Sequence, residues 1–341
     1  MHTKNKTAYY EWLRIFASAA VVLLHTAALV WYDVSWDSAA WRTVSCWDSL
    51  VRWPVVLFVM ITGSIFLPRK TKMTTMLKRY IPRIFCCYLL WSYLFAKYKL
   101  CQGDAPETFW ENMISGQFHL WYLPFLCGVY LAIPFLQKIA EDDCLTSWLL
   151  AVSLVIGSVI PWTINLLSLL LPKYADLMTY AKNHLNYTFF MDLLAALVLG
   201  HWLNKRDLPV SHRRILYGFG ILSVIVTLVG TLKLSARLAT PTALFFEHSS
   251  PLNICSAAAI FVFAKYNLTR LPRFVEHLAR CSFGIYLSHA LVLTYLYDRG
   301  IHALMWNPVW FVPVLTAAVF VFCALGTALF RKIPVIGKYL T

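Results

Sequence analysis

The chain has 341 residues, of which 60% are hydrophobic and 13% charged, with a mean hydropathy of +0.62 and a net charge of +14. An ordinary soluble domain is about a quarter charged, so the composition excludes that class and points to an integral membrane protein. The basic excess would suggest nucleic acid in a soluble chain, but here topology must first account for it.

Taking about 20 mostly apolar residues per crossing, the sequence predicts ten membrane helices in chain order: 9–32, 44–67, 80–99, 118–137, 145–169, 187–204, 214–234, 249–266, 280–298 and 308–330. The first follows a short basic tail with no small-residue cleavage site behind it, so it reads as a retained helix. No lipidation motif, internal repeat, low-complexity tract or polar block of domain size is visible. The expected fold is therefore an all-α integral membrane protein, a single transmembrane domain over residues 1–341, with ten spans and both ends on one side.

The connecting segments then fall into two alternating sets. One holds Lys4, Lys6, Arg69, Lys70, Lys72, Lys78, Arg79, Lys138, Lys205, Arg206, Arg213, Arg214, Lys265, Arg270, Arg273, Arg280, Arg331, Lys332 and Lys338. The other holds Arg42, Lys173, Lys182, Lys233, Arg237 and Arg299, with Lys97 and Lys99 at the end of the third helix. The positive-inside rule makes the first set, and both termini, cytoplasmic. Most of the net charge is thereby topogenic, and no nucleic-acid partner is needed.

The outer segments are mildly acidic and rich in tryptophan (Trp31, Trp36, Trp41, Trp47, Trp110), as an aromatic belt at the headgroups or a platform for a sugar face would be. The nine cysteines show no metal-ligand spacing; Cys46 and Cys101 both belong to the outer side and could pair.

Four polar clusters interrupt the apolar pattern. In the first helix, EWLRIFASAAVVLLH, Glu11, Arg14, Ser18 and His25 share one stripe, with Arg14 and His25 about 16 Å apart along the axis. Charge inside a span is expensive, so this stripe is expected to face a cavity; the plainer reading is a Glu11–Arg14 salt bridge and one satisfied core histidine. The second cluster, RKTKMTTMLKRYIPR (69–83), offers Arg69, Lys72, Lys78, Arg79 and Arg83 to an anion such as the phosphates of a cytoplasmic donor, or is simply topogenic. The third places His119, Trp121 and Tyr122 at the outer entry of the fourth helix, where Pro124 and Pro134 would each release a backbone carbonyl. The fourth, CSFGIYLSHALVL (281–293), carries Ser282, Tyr286 and His289.

Together these motifs, with FVMITGSIFLPR in the second helix, KRYIPR entering the third, FHLWYL in the fourth and SFGIYLSH in the ninth, resemble the acyltransferase type 3 family of integral membrane O-acyltransferases. The likeness is strongest to its compact branch, which includes the O-acetyltransferase of enterobacterial common antigen. The resemblance implies transfer of an acyl group, commonly acetyl, from cytoplasmic acetyl-CoA to a hydroxyl of an extracytoplasmic carbohydrate or lipid-linked glycan, in a multi-pass bacterial plasma-membrane protein. It also implies that His25 is the essential first-helix histidine, Arg14 its partner arginine, and Arg79 and Arg83 the basic pair. Many relatives carry a glutamate five residues after a fourth-helix tryptophan; here Leu126 stands at that distance from Trp121, and Glu11 is the nearest substitute.

The chemistry is consistent with that expectation. An alcohol is a poor nucleophile at neutral pH and needs a positioned base such as histidine to attack a thioester. His25 could act as that base, or carry the acyl group as an acyl-imidazole. Ser18, His119 and Tyr122 are candidate donors to the oxyanion, and Trp121, Tyr286 and His289 complete the expected substrate-binding set. No metal-ligand pattern or Gly-x-Ser-x-Gly elbow is present. The alternative is a transporter or exporter of a small anion or glycan, since a polar stripe in a helical bundle also suits a pathway.

Overall fold

A computed structural model describes residues 7–184, 193–333 and 337. Lys4, Lys6 and Lys338, and residues 187–192 of the sixth expected span, lie outside the described residues, as does the side chain of Lys182. The described chain is all helix, with no strand. Six helical segments are long and apolar enough to cross a membrane: Ala8–Ala28, Ala39–Phe66, Tyr122–Ala140, Asp143–Leu170, Val210–Leu238 and Pro308–Phe330.

The central helix is α1 (Ala8–Ala28), which buries Leu13, Ala17, Val21 and Leu24. The next segment is a helix pair, α2 (Ala39–Ser49) and α3 (Pro54–Phe66). Ser38 caps α2 by accepting from the Trp41 amide, and Pro54 opens α3 at a first-turn position where its missing N–H leaves no bond unmade. A short turn, Met73–Thr75, and a wide turn, Met76–Tyr80, lead into α4 (Ile81–Cys101), and α5 (Phe109–Ser115) ends at Gly116, whose φ of 66° suits glycine.

Next come α6 (Tyr122–Ala140), α7 (Asp143–Leu154) and, after another wide turn at Val155–Val159, α8 (Ile160–Leu170). Pro124 stands in the first turn of α6, where amides have no partner within the helix, so only Pro134 interrupts the ladder. The remaining helices are α9 (Ala175–His184), α10 (Leu194–Lys205), α11 (Val210–Leu238), α12 (Pro251–Asn267), α13 (Arg273–Asp298) and α14 (Pro308–Phe330). The Lys265 ammonium donates to the carbonyls of Leu203, Asn204 and Arg206, closing the end of α10.

Packing places α1 against α2, α3, α12, α13 and α14. Ile221, Leu222 and Ile225 of α11 and Val155, Val159 and Ile160 around the α7–α8 turn are exposed apolar side chains, a surface suited to lipid. The closest seam joins α3 and α10: a Cβ on Gly63 would lie 1.8 Å from the Leu197 carbonyl oxygen, and one on Gly200 would lie 2.1 Å from that of Met60. Small residues permit such backbone approach between helices in lipid.

The outer tryptophans are neither all belt nor all platform. Trp31 and Trp41 are buried, pack with Phe246, and Trp31 donates its indole N–H to Ser45 at 2.8 Å, while Trp110 is exposed. Cys46 and Cys101 carry free thiols.

Candidate active site

At the N-terminal end of α1 a chamber of about 390 Å³ opens between α1, α3, α4, α6 and α13. Four guanidinium groups line it: Arg14, Arg83, Arg280 and Arg331. Arg14 is held by Glu11 at 2.7 Å, Arg280 by Glu276 at 2.5 Å, and Arg331 donates to the Arg280 carbonyl at 3.1 Å. Arg83 lies over the Phe283 ring, 5.5 Å from its centroid. Cations lining one chamber repel one another and gain when an anion enters between them. Where it approaches the histidines the wall turns apolar and aromatic, with Leu126, Tyr122 and Tyr286.

Beyond those tyrosines three imidazoles gather from separate segments. His25 comes from α1, His119 from the turn before α6, and His289 from α13. Ring centroids are 5.3 Å apart for His25 and His289, 5.1 Å for His119 and His289, and 6.5 Å for His25 and His119. His119 and His289 are 3% and 0% exposed, whereas His25 keeps part of its surface accessible.

Their hydrogen bonds fix much of the chemistry. His289 Nδ1 meets the Ile285 carbonyl at 3.0 Å and His119 Nε2 meets the Leu287 carbonyl at 3.4 Å. A carbonyl can only accept, so in the neutral rings those nitrogens hold the proton. His289 Nε2 and His119 Nδ1 are then buried lone pairs with no donor among the described residues, an arrangement ready for a hydroxyl or water. The Tyr286 hydroxyl donates to the His119 carbonyl at 2.5 Å, and its ring lies 5.5 Å from His119 and 6.1 Å from His289. Tyr286 is thus a wall of the inner chamber on one side and a neighbour of the imidazoles on the other. Although the trio is compact, no group of His, Cys, Asp or Glu among the described residues is arranged to hold a metal.

Toward the C-terminal end of α1, Arg52 and His248 join His119 and His289 as electrostatic neighbours of His25. Arg52 pairs with the fully buried Asp48 and sits 3.8 Å over the Phe246 ring. His248 stacks on Trp121 with centroids 4.9 Å apart. Burial, reinforced by the Arg52 charge, brings its imidazole down to about 4, so it is neutral at pH 7. An open pocket of about 400 Å³ lies between Arg52, Phe246, Glu247 and His248.

The structure therefore brings together Arg14, Arg83, Tyr122 and Tyr286 at the chamber and His25, His119 and His289 beyond it. Other expected residues lie elsewhere. Arg69 lines a separate cavity, and Lys72, Lys78 and Arg79 line neither. Arg79 sits within the wide turn, where Ile81 bonds back to Met76, five residues earlier, so the α-helical spacing that would align it with Arg83 does not hold there. The expected oxyanion donors are already engaged: the Ser18 hydroxyl bonds the Arg14 carbonyl at 2.8 Å, Tyr122 pairs with Thr62, and His119 with Leu287. Glu11 lies about 21 Å from His25 along the helix and acts on Arg14. The sequence reading missed Arg52, His248, Arg280 and Arg331; the last two had been counted only as topogenic charge.

No curated protein and no solved structure matched the chain. The acyltransferase domain model matches residues 7–328, nearly the whole chain and every part of the chamber and imidazole cluster except Arg331. An all-helical bundle with membrane-length helices, carrying these residues within that match, belongs to the acyltransferase type 3 family of membrane acyltransferases.

Proposed function

We propose that the protein is an O-acyltransferase that moves an acyl group, in its simplest form acetyl from acetyl-CoA, to a hydroxyl of an extracytoplasmic carbohydrate or lipid-linked glycan. On this reading ten spans place both termini in the cytoplasm of a bacterial cell and the chamber opens inward, as the charge bias of the connecting segments supports. The observation that carries the proposal is Tyr286, shared by a guanidinium-lined chamber and an imidazole cluster. Phosphates of the coenzyme rest against Arg14, Arg83, Arg280 and Arg331, and the pantetheine arm passes Tyr122 and Tyr286 to present the thioester to the trio. The acceptor enters from the outer pocket, where Arg52, Glu247 and His248 offer donors and acceptors to sugar hydroxyls.

His25, with accessible ring surface, acts as general base. It takes the proton from the acceptor hydroxyl as that oxygen attacks the thioester carbonyl; the C–S bond then breaks and the thiolate leaves with the proton from His25. His289 and His119, each with a free lone pair, orient the hydroxyl. Glu11 positions Arg14. In the competing route His25 itself accepts the acyl group and passes it on.

Thermal stabilisation by CoA is the test. CoA should raise the melting temperature of the purified protein, and Arg83→Gln should abolish most of that rise while Arg79→Gln retains it. Indifference of the wild type to CoA would turn the assignment toward a transporter.

A further inference from the structure

Phe66 lines the donor chamber, but its neighbour Leu67 lines a second cavity, of about 380 Å³, between the loop after α3, the last turns of α6 and the end of α10. Its wall carries Arg69, Lys70 and Lys205, the amides of Gln137 and Asn204, and the imidazole of His201. The wall is held in shape by hydrogen bonds. Gln137 Nε2 donates to the Phe66 carbonyl at 2.8 Å and also to the Arg69 carbonyl, while Asn204 Oδ1 accepts from the Tyr9 hydroxyl at 2.7 Å.

Its charges are incompletely matched. Lys205 pairs with Asp143 at 2.7 Å, and Glu141, also on the wall, pairs with Lys138 at 3.4 Å. Arg69 and Lys70 have no carboxylate partner among the described residues. His201 is 4% exposed; the Ala140 carbonyl approaches its ring, yet neither ring nitrogen has a partner at hydrogen-bonding geometry. A buried imidazole left so is destabilising until a ligand or water completes it.

We propose that this cavity binds a phosphate-bearing anion, with Arg69 and Lys70 meeting its charge and His201 donating to a phosphate oxygen. It lies at the lysine- and arginine-rich ends of the helices, at headgroup depth, where such a group comes either from an anionic lipid or from a soluble phosphate. The site is separate from the donor chamber and does not depend on the acyl-transfer reading.

The full chain in neutral phosphatidylcholine nanodiscs, titrated with inorganic pyrophosphate, is compared with the chain in nanodiscs containing phosphatidylglycerol. A rise of about 4 °C in melting temperature is expected from one probe: from phosphatidylglycerol alone if the source is a lipid headgroup, from pyrophosphate in neutral discs if it is soluble. The double variant Arg69→Gln/Lys70→Gln, at two exposed loop positions, should lose the rise, and His201→Gln should lose part of it. Arg83→Gln should retain it. No rise from either probe in the wild type, or a rise that survives the double variant or disappears in Arg83→Gln, overturns the proposal.

Discussion

The N-terminal and C-terminal reaches of α1 are built on opposite electrostatic plans. Around Arg14 the protein gathers full positive charges and steadies them with Glu11 and Glu276, leaving more cation than anion at the wall. Around His25 it gathers three titratable rings and encloses two of them almost completely. Permanent charge suits recognition of a polyanion, because guanidinium stays ionised under all working conditions. Neutral imidazoles suit proton transfer, because each keeps a lone pair for a hydroxyl. On the proposed reading, one helix thus joins a region for holding a substrate to a region for reacting it, about 16 Å away.

That division can be broken selectively. The largest effect is expected for His25→Ala: acyl transfer from labelled acetyl-CoA to membrane glycan should fall by about 10²–10⁴-fold, while stabilisation by CoA persists. Loss of CoA binding together with activity would show that the two reaches are not separable. Next in size, Arg14→Gln should raise the KM for acetyl-CoA about tenfold, the effect of losing about 1.4 kcal/mol of charge-assisted contact, with kcat little changed. A fall in kcat at saturating donor would instead place Arg14 in the chemical step.

The smallest effect concerns the outer pocket. The folded-state value of about 4 for His248 lies below the ordinary value near 6.5, so between those limits the unfolded chain binds a proton that the folded chain does not. Its contribution to stability is therefore intact above about pH 6.5 and declines as pH falls toward 4. His248→Gln should flatten the melting temperature measured across that window. An unchanged slope would remove the imidazole as its source.

Sequence periodicity and hydropathy exposed the all-helical character and six of the membrane-length segments because both follow local spacing, and the stripe from Glu11 to His25 is itself a local pattern on one helix. What the spacing could not reveal are meetings between distant segments. His119 and His289 each read alone as ordinary, and their convergence on His25 needs the packing of α13 and the turn before α6 around α1. Arg280 and Arg331 were hidden by a competing explanation, since a cytoplasmic loop needs basic residues whatever they touch. That Arg79 stands apart from the chamber was not legible, because a wide turn leaves no mark in hydrophobic periodicity. Pro124 read as a break, although its position in the first turn of α6 makes it harmless.

The glycine contact between α3 and α10 bears on how the molecule moves. Backbone touching backbone at Gly63 and Gly200 works like a weld, with no side-chain layer in which the two helices could slip past each other. Phe58, Ile61 and Thr62 of α3 line one basic cavity, and His201 and Asn204 of α10 line the other. One wall of each cavity therefore belongs to the same stiff unit, and those two walls keep a fixed spacing.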